Sequence, residues 1–316
     1  MLQQYLIQQQ DITLGWQFFV PLVLMVVLIL LAVRIWVVVG LGALAMLYFT
    51  DVLPLTLLGE ALFDGIDSFA LIAVPLFILT GDVLVRSGLS TKLLDVAEAT
   101  MGARRSGLGT STVLGCGFFA CISGSDAADA AAISRITIDR LVDKGYPRPY
   151  ACALVAAGAC TGILIPPSIS YIIIGLVLGI SASTLFLAAA IPGVMILTSI
   201  MITNAVLNRV KGYENSLGGF NLKYWLKTIY DGRFALLIPF IILGGIYTGI
   251  FTPTESAAVA ALTTIVIGFW QKTLKLSDIP KILETSAMVS GVIVPIIAMS
   301  LPLAQTLASL QVPQAF

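Results

Sequence analysis

The 316-residue chain is 58% hydrophobic and only 11% charged, with 17 basic and 17 acidic residues and a mean hydropathy of +1.01. Soluble domains carry about 25% charged residues, so this is the composition of an integral membrane protein, and the zero net charge leaves no basic surface for nucleic acid. No histidine is present, which removes His-based catalysis and His-ligated metal, and Cys116, Cys121, Cys152 and Cys160 stand in apolar stretches at spacings that fit no zinc site, as expected of buried free thiols.

A polar start, Met1 to Asp11, lacks a basic n-region and a small-residue cleavage site, so the uncharged run 12–33 behind it reads as a retained span rather than a signal peptide. Run 35–50 follows, then four acids and no base from Asp51 to Asp67, then run 68–81. In "VRSGLSTKLLDVAEATMG", Leu89, Leu93, Leu94, Val96 and Ala97 recur at helical spacing between charges, which predicts an amphipathic helix along the membrane surface. The bases fall into four groups: Arg86 to Arg105 (with Lys92 and Arg104), Arg135 to Arg148 (with Arg140 and Lys144), Arg209 to Arg233 (with Lys211, Lys223 and Lys227), and Lys272 to Lys281 (with Lys275); Arg34 stands alone. By the positive-inside rule all four groups are cytoplasmic, and the acidic Asp51–Asp67 region suits the other side.

Between two cytoplasmic groups a chain crosses an even number of times or does not fully cross, and each crossing takes about 20 apolar residues. Run 149–208 has the 60 residues that two spans need, and 234–271 has 38, enough for two short or tilted ones. The 27 residues from Gly107 to Ile133 are too few. They predict a re-entrant hairpin with its tip near "SGSD". Non-helical backbone at membrane depth is tolerated only where it is buried in protein or lines a cavity, so the hairpin is a candidate site.

In "CISGSDAADAAAI", Ser123 or Ser125 is placed to cap a helix, Asp126 falls in its first turn, and Asp129 shares a face with Asp126. Hydroxyls, freed carbonyls and a carboxylate at a helix break suit a hard cation such as Na⁺. The alternative is a cap plus an acid paired with Arg135 or another base. In "GILIPPSISYIIIG", Pro166 and Pro167 offer no N–H to the carbonyls of Gly162 and Ile163. That predicts a break with a restart near Pro167 and Ser168, against the plainer alternative of a proline kink. In "GGIYTGIFTPTESAAVAA", Thr252 at N-cap, Pro253 at N1 and Glu255 at N3 make a capping box, a structural role. There is no Walker loop, GxGxxG or HExxH. An intramembrane aspartyl protease needs acids facing each other from separate helices, and Asp126 and Asp129 are three apart on one, so the chain reads as no enzyme.

Together with "VPLFILTGDVLVRSGLS", these three motifs in this order resemble the large membrane (M) subunit of TRAP transporters, the tripartite ATP-independent periplasmic carriers, from about residue 35 to about residue 300. The resemblance implies an all-α polytopic membrane protein with the inverted-repeat fold of the ion-transporter superfamily, containing a re-entrant helical hairpin and a proline-broken helix. It divides the chain into N-terminal scaffold spans (1–85), a first-repeat transport region (86–208, hairpin about 107–141, broken helix about 150–180), and a cytoplasmic connector with the start of a second repeat (209–316). It implies sodium as coupling ion, no other cofactor, an elevator-type mechanism in the bacterial inner membrane, a small organic acid such as a C4-dicarboxylate as substrate, and two partners, a periplasmic binding protein and a small four-helix membrane subunit. On this resemblance Ser123, Gly124, Ser125, Asp129, Gly162 and Pro166 bind sodium, and Ser125, Pro167 and Ser168 face the substrate. The alternatives are a sodium-coupled dicarboxylate or citrate carrier without a binding protein, and a non-transporting membrane scaffold.

Asp126 and Ser134 stand where the family more often has small residues, and Asp126 could add charge to the ion site or sit in solvent at the helix start. Family members continue for roughly another hundred residues, so on this resemblance the second repeat is incomplete at Phe316, and the expectation is that the chain alone does not transport.

Overall fold

The computed structural model describes residues 16–51, 54, 56–102, 105–214 and 221–312. Met1 to Asp11, Arg104 and Phe316, named above, lie outside them. Among the described residues there are helices and no strand, and five helical segments are long and apolar enough to cross a membrane. The protein is an all-α, multi-pass membrane protein.

The chain divides into two compact units. In the first, α1 (Trp16–Leu30) packs on α2 (Ile35–Thr50), with α3 (Thr56–Ile66) and the chain beyond Met288. Its core is Phe18, Met46 and Leu310, flanked by Leu303, Leu307 and Val312.

The second unit, Phe69–Ala287, carries everything else. A 3₁₀ turn (Phe69–Ile72) leads into α4 (Ala73–Arg86), then α5 (Leu89–Met101), α6 (Gly107–Ser123), α7 (Asp126–Asp143) and α8 (Arg148–Ala159). After a second 3₁₀ turn (Cys160–Ile163) come α9 (Ile169–Leu178), α10 (Ala182–Lys211), α11 (Leu222–Tyr247), α12 (Pro253–Trp270) and α13 (Ile279–Ser309), the last running on into the first unit. Two residues, Gly124 and Ser125, join α6 to α7, and the two helices pack together as a hairpin.

The hub is α6. It packs against α4, α5, α7, α8, α10 and α11, and thirteen of its seventeen residues are buried. Small residues make this possible, because close approach of backbones is how helices associate in lipid. A Cβ at Gly117 would stand 2.6 Å from Leu197 of α10, and one at Gly158 of α8 would stand 2.9 Å from the Cys116 sulfur.

Four expectations change. α5 does not lie on a lipid surface with its apolar side: Leu89, Leu93, Leu94, Val96 and Ala97 are buried, covered by α6 and α11. α11 is not a short span; it begins at Leu222, well before the uncharged run at Phe234, because its first turns dock on α5. There Trp225 donates its indole N–H to Thr100 Oγ1 at 3.1 Å, and Gly232 lies where a Cβ would meet Val96 at 2.8 Å. α13 likewise starts ahead of the uncharged run 285–316, with Lys281 and Glu284 inside the helix. Of the cysteines, all free, Cys116 is buried, Cys121 half-buried, and Cys152 and Cys160 exposed. An outward-facing thiol is at home on an apolar surface.

At the base of the hairpin is a polar cluster that nothing in the local sequence marks. Gly212 ends α10 in the left-handed conformation, and the chain turns so that Glu214 is buried. Asn208 holds it there, donating to the Glu214 carbonyl at 2.9 Å and accepting from its N–H at 2.8 Å. The Glu214 carboxylate then accepts the Leu108 N–H at 3.1 Å and the Tyr146 hydroxyl at 3.0 Å. Leu108 begins α6 and Tyr146 follows α7, so one carboxylate ties both arms of the hairpin to the end of α10. Burial, and after it the Glu214 charge, pushes the Tyr146 phenol up from its ordinary value, so it stays protonated as the donor. Alongside, Tyr150 donates to Asn204 at 3.0 Å and Asn204 to Thr110 at 3.2 Å.

Glu214→Ala strands a buried N–H and a buried hydroxyl, and it should destabilise the protein by about 1–3 kcal/mol. Tyr146→Phe removes one donor and should cost less. Thermal unfolding of the purified chain in detergent gives the order wild type, Tyr146→Phe, Glu214→Ala.

Candidate functional site

Two interruptions of helix meet in the second unit. The first is the hairpin tip. Gly124 ends α6 at φ +63°, and its N–H reaches Ala120 O at 3.4 Å. Ser125 is extended at the N-cap of α7, and its carbonyl accepts the Asp129 N–H at 3.0 Å. The second interruption runs from Cys160 to Ser168. Pro166 and Pro167, joined by a cis peptide bond, offer no N–H to the turn before them, and helix resumes at Ile169 behind an extended Ser168. The proline pair therefore breaks the helix fully; it does not merely kink it.

The interruptions fit each other closely. The Ile169 N–H donates to Gly124 O at 3.2 Å. A Cβ on Gly124 would stand 2.9 Å from Pro167 O and 3.3 Å from Ser168 Cα. On the other side of the tip, the Ile163 N–H donates to Asp126 Oδ1 at 2.7 Å. A Cβ on Gly162 would stand 2.6 Å from Asp129 Oδ2 and 3.0 Å from Asp126 Oδ1. Only glycine leaves room for both carboxylates against that turn.

The side chains differ from expectation in one respect. Ser125 occupies the N-cap position but makes no side-chain capping bond, and Ser123 does not cap α7 either. Its hydroxyl instead donates to Asp129 Oδ1 and accepts the Ser125 N–H at 3.2 Å. The hydroxyl is drawn to the stronger acceptor, an ionisable carboxyl group. Asp126 serves a helix break other than its own.

Asp129 is 0% exposed, as is Ser168. Asp129 Oδ2 and Ser168 Oγ are the two buried side-chain polar atoms without a hydrogen-bond partner among the described residues. Neither Asp126 nor Asp129 forms an ion pair there with Arg135 or any other base; Arg140 pairs with Glu98 and Arg148 with Asp139. Native interiors satisfy nearly all such groups, so two orphans on one seam mark a place where something else supplies the partner. The donors present are oxygens, the set a hard cation takes, and no cluster of three His, Cys, Asp or Glu side chains exists among the described residues to hold a transition metal.

Thr252, Pro253 and Glu255 form a capping box at the start of α12, with the Thr252 N–H donating to Glu255 Oε2 at 2.8 Å and the Glu255 N–H to Thr252 Oγ1 at 3.3 Å. Next to them, Thr254 donates to Phe69 O at 3.1 Å. Sequence reasoning passed over Asp82 of α4, an acid inside an apolar helix that accepts the Ser286 hydroxyl at 2.8 Å, and Glu214, an acid in a basic connector. For Asp82 the charge inside an apolar helix was the available signal; the role of Glu214 depends on partners far away in the chain.

The site thus belongs to a membrane protein and is built from two helix interruptions packed against each other. Residues 22–316 match the family described as "Tripartite ATP-independent periplasmic transporter, DctM component". The chain belongs to that family, as a large permease subunit. It is 36% identical over 240 residues to the isethionate TRAP transporter permease protein DctMQ of Oleidesulfovibrio alaskensis, covering 76% of this chain and 38% of that protein. It is 35% identical over 275 residues to the C4-dicarboxylate TRAP transporter large permease protein DctM of Pseudomonas aeruginosa, covering 87% and 64%. The sialic acid TRAP transporter large permease protein SiaM of Vibrio cholerae is 33% identical over 252 residues, covering 79% and 59%. The chain therefore spans less than two thirds of the length of these relatives.

Gly124→Ala forces a Cβ into the left-handed region, at about 1–2 kcal/mol, and also drives it into Pro167. Gly179, at φ +66° with nothing within 4 Å, isolates the first effect. Thermal unfolding should therefore show Gly124→Ala less stable than Gly179→Ala.

Proposed function

We propose that this chain is the membrane-embedded part of a sodium-driven, binding-protein-dependent secondary transporter that imports a small organic acid, a C4-dicarboxylate or a related carboxylate, across the bacterial inner membrane. Its partners on this reading are a periplasmic substrate-binding protein and a small four-helix membrane subunit, and its movement is of the elevator type. Membership of the DctM family supports the class of machine. The substrates in the relatives' names differ, isethionate, C4-dicarboxylate and sialic acid, and all are organic acids.

The observation that carries the reading is that the buried carboxyl group of Asp129 is half-satisfied and the Ser168 hydroxyl, on the facing break, is buried without a partner. An isolated carboxylate out of water is costly unless a cation meets it, and an acid inside a membrane protein is by default part of a functional path. On this reading a sodium ion on the seam takes Asp129 Oδ2, Ser168 Oγ and carbonyls of the two breaks as its oxygen ligands. Ser123 would orient the carboxylate through Oδ1. Gly124, Ser125, Gly162 and Pro166 would contribute shape and carbonyls, with Ser125, Pro167 and Ser168 facing the substrate. Asp126, engaged by the Ile163 N–H, would hold the two breaks together and add negative charge nearby.

The test is thermal unfolding of the purified chain in sodium against potassium or choline. Sodium at about 100 times its Kd should stabilise the protein by about 2.7 kcal/mol. Asp129→Asn should abolish the difference between the salts. Ser168→Ala should keep or raise stability in potassium, since it removes an unpaired buried hydroxyl, while weakening the sodium response. An undiminished sodium response in Asp129→Asn would overturn this assignment.

A further inference from the structure

Between the polar connector and its apolar part, α11 runs through three turns, Leu222 to Arg233, that carry bases and aromatic rings. Trp225 and Gly232 face α5. Lys223, Lys227, Tyr230 and Phe234 recur at spacings of four, three and four, which places them on a common stripe. The Arg233 guanidinium is laid over that stripe, 4.0 Å from the Tyr230 ring centre and 4.4 Å from that of Phe234, with its own N–H donating to Tyr230 O at 2.7 Å. Phe234 meets Trp270 edge-on at 5.2 Å, which brings the end of α12, and Lys272 just beyond it, to the same place. Tyr230 and Trp270 are 65% and 71% exposed.

Two features go beyond a cytoplasmic charge cluster. First, Lys223, Lys227, Arg233 and Lys272 form no ion pair among the described residues, although Asp231 is on the same helix. Second, stacking holds the one guanidinium in place instead of leaving it to sample solvent, and its fork suits a phosphate oxygen pair. Tyrosine and tryptophan of this exposure sit at the level of lipid headgroups, and the basic groups put this end of α11 on the cytoplasmic side, where anionic lipids lie. Deeper along α11, Leu237 and Phe240 follow Arg233 at helical spacing and are exposed, so an acyl chain could run down from the headgroup.

The geometry points to a headgroup site for an anionic phospholipid in the cytoplasmic leaflet, with Arg233 and Lys227 holding the phosphate, Lys223 and Lys272 around it, and Tyr230, Phe234 and Trp270 forming its floor. The site is separate from the hairpin seam and does not depend on the transport reading.

Native mass spectrometry of the whole chain, released from detergent with dioleoyl phosphatidylglycerol or dioleoyl phosphatidylcholine, tests this. The wild type should retain phosphatidylglycerol in preference by about fivefold or more, the equivalent of one basic contact. Arg233→Gln with Lys227→Gln should remove that preference. Lys144→Gln with Arg148→Gln, the same loss of charge at another exposed place, should keep it. All these side chains are exposed, so the variants should fold. Equal retention of the two lipids by the wild type overturns the site and leaves the ledge to a protein neighbour. A preference that survives in the Arg233 and Lys227 variant, or that falls equally in the control, overturns it as well.

Discussion

The hydrogen bond from the Ile169 N–H to Gly124 O joins the tip of the hairpin to the proline break. Backbone that leaves a helix away from water must find partners for its N–H and C=O groups. Either interruption alone would leave such groups stranded. Together they complete each other: the tip of the hairpin takes the N–H of the restarting helix, and Asp126 takes that of Ile163. The glycines at 124 and 162 bring the two lines of backbone close enough for this. The placement of Ser123, Ser168 and Asp129 follows from that contact, because Ser123 and Ser168 adjoin the bonded Gly124 and Ile169 and Asp129 lies one turn along α7 from Asp126.

The hairpin is secured differently at its other end. Where the tip relies on backbone contact and close approach, the base relies on one carboxylate from a distant turn, Glu214, reaching the start of α6 and the loop after α7. The two helices are thus held at both ends, and α6 packs along its length against five helices outside the hairpin, α4, α5, α8, α10 and α11. The seam at the tip lies about 25 Å from the contacts at the base, the length of α6 at 1.5 Å per residue.

What the sequence shows well are features whose cause is local. The proline pair, the Thr252–Glu255 cap and the helix start at Asp126 each depend on residues within a turn of one another, and each was readable there. The short interval between two basic groups also pointed to a turn near Gly124, where α6 and α7 pack together as a hairpin. What was not readable depends on distant residues. α5 has the pattern of a surface helix, and only α6 and α11 decide that its apolar face is covered by protein. α11 extends back through charged residues because Trp225 and Gly232 fit α5. Ser125 looked like a cap, yet the neighbouring hydroxyl of Ser123 turns to Asp129, a carboxylate six residues on. Glu214 has no local signature at all, since its partners are about 70 and 106 residues earlier in the chain.

The covering of α6 also constrains the order in which the molecule can be made. A helix of seventeen residues, rich in glycine, serine and threonine and almost wholly enclosed, gains little from lipid by itself. Four of the neighbours that enclose it, α7, α8, α10 and α11, are encoded after it. As the chain leaves the ribosome, the hairpin therefore has no finished place until synthesis has passed Tyr247, more than a hundred residues beyond its tip. Until then its polar backbone must be sheltered by the insertion machinery or remain at the membrane surface, so a ribosome pause or a truncation before that point would leave the most important element of the protein without a home.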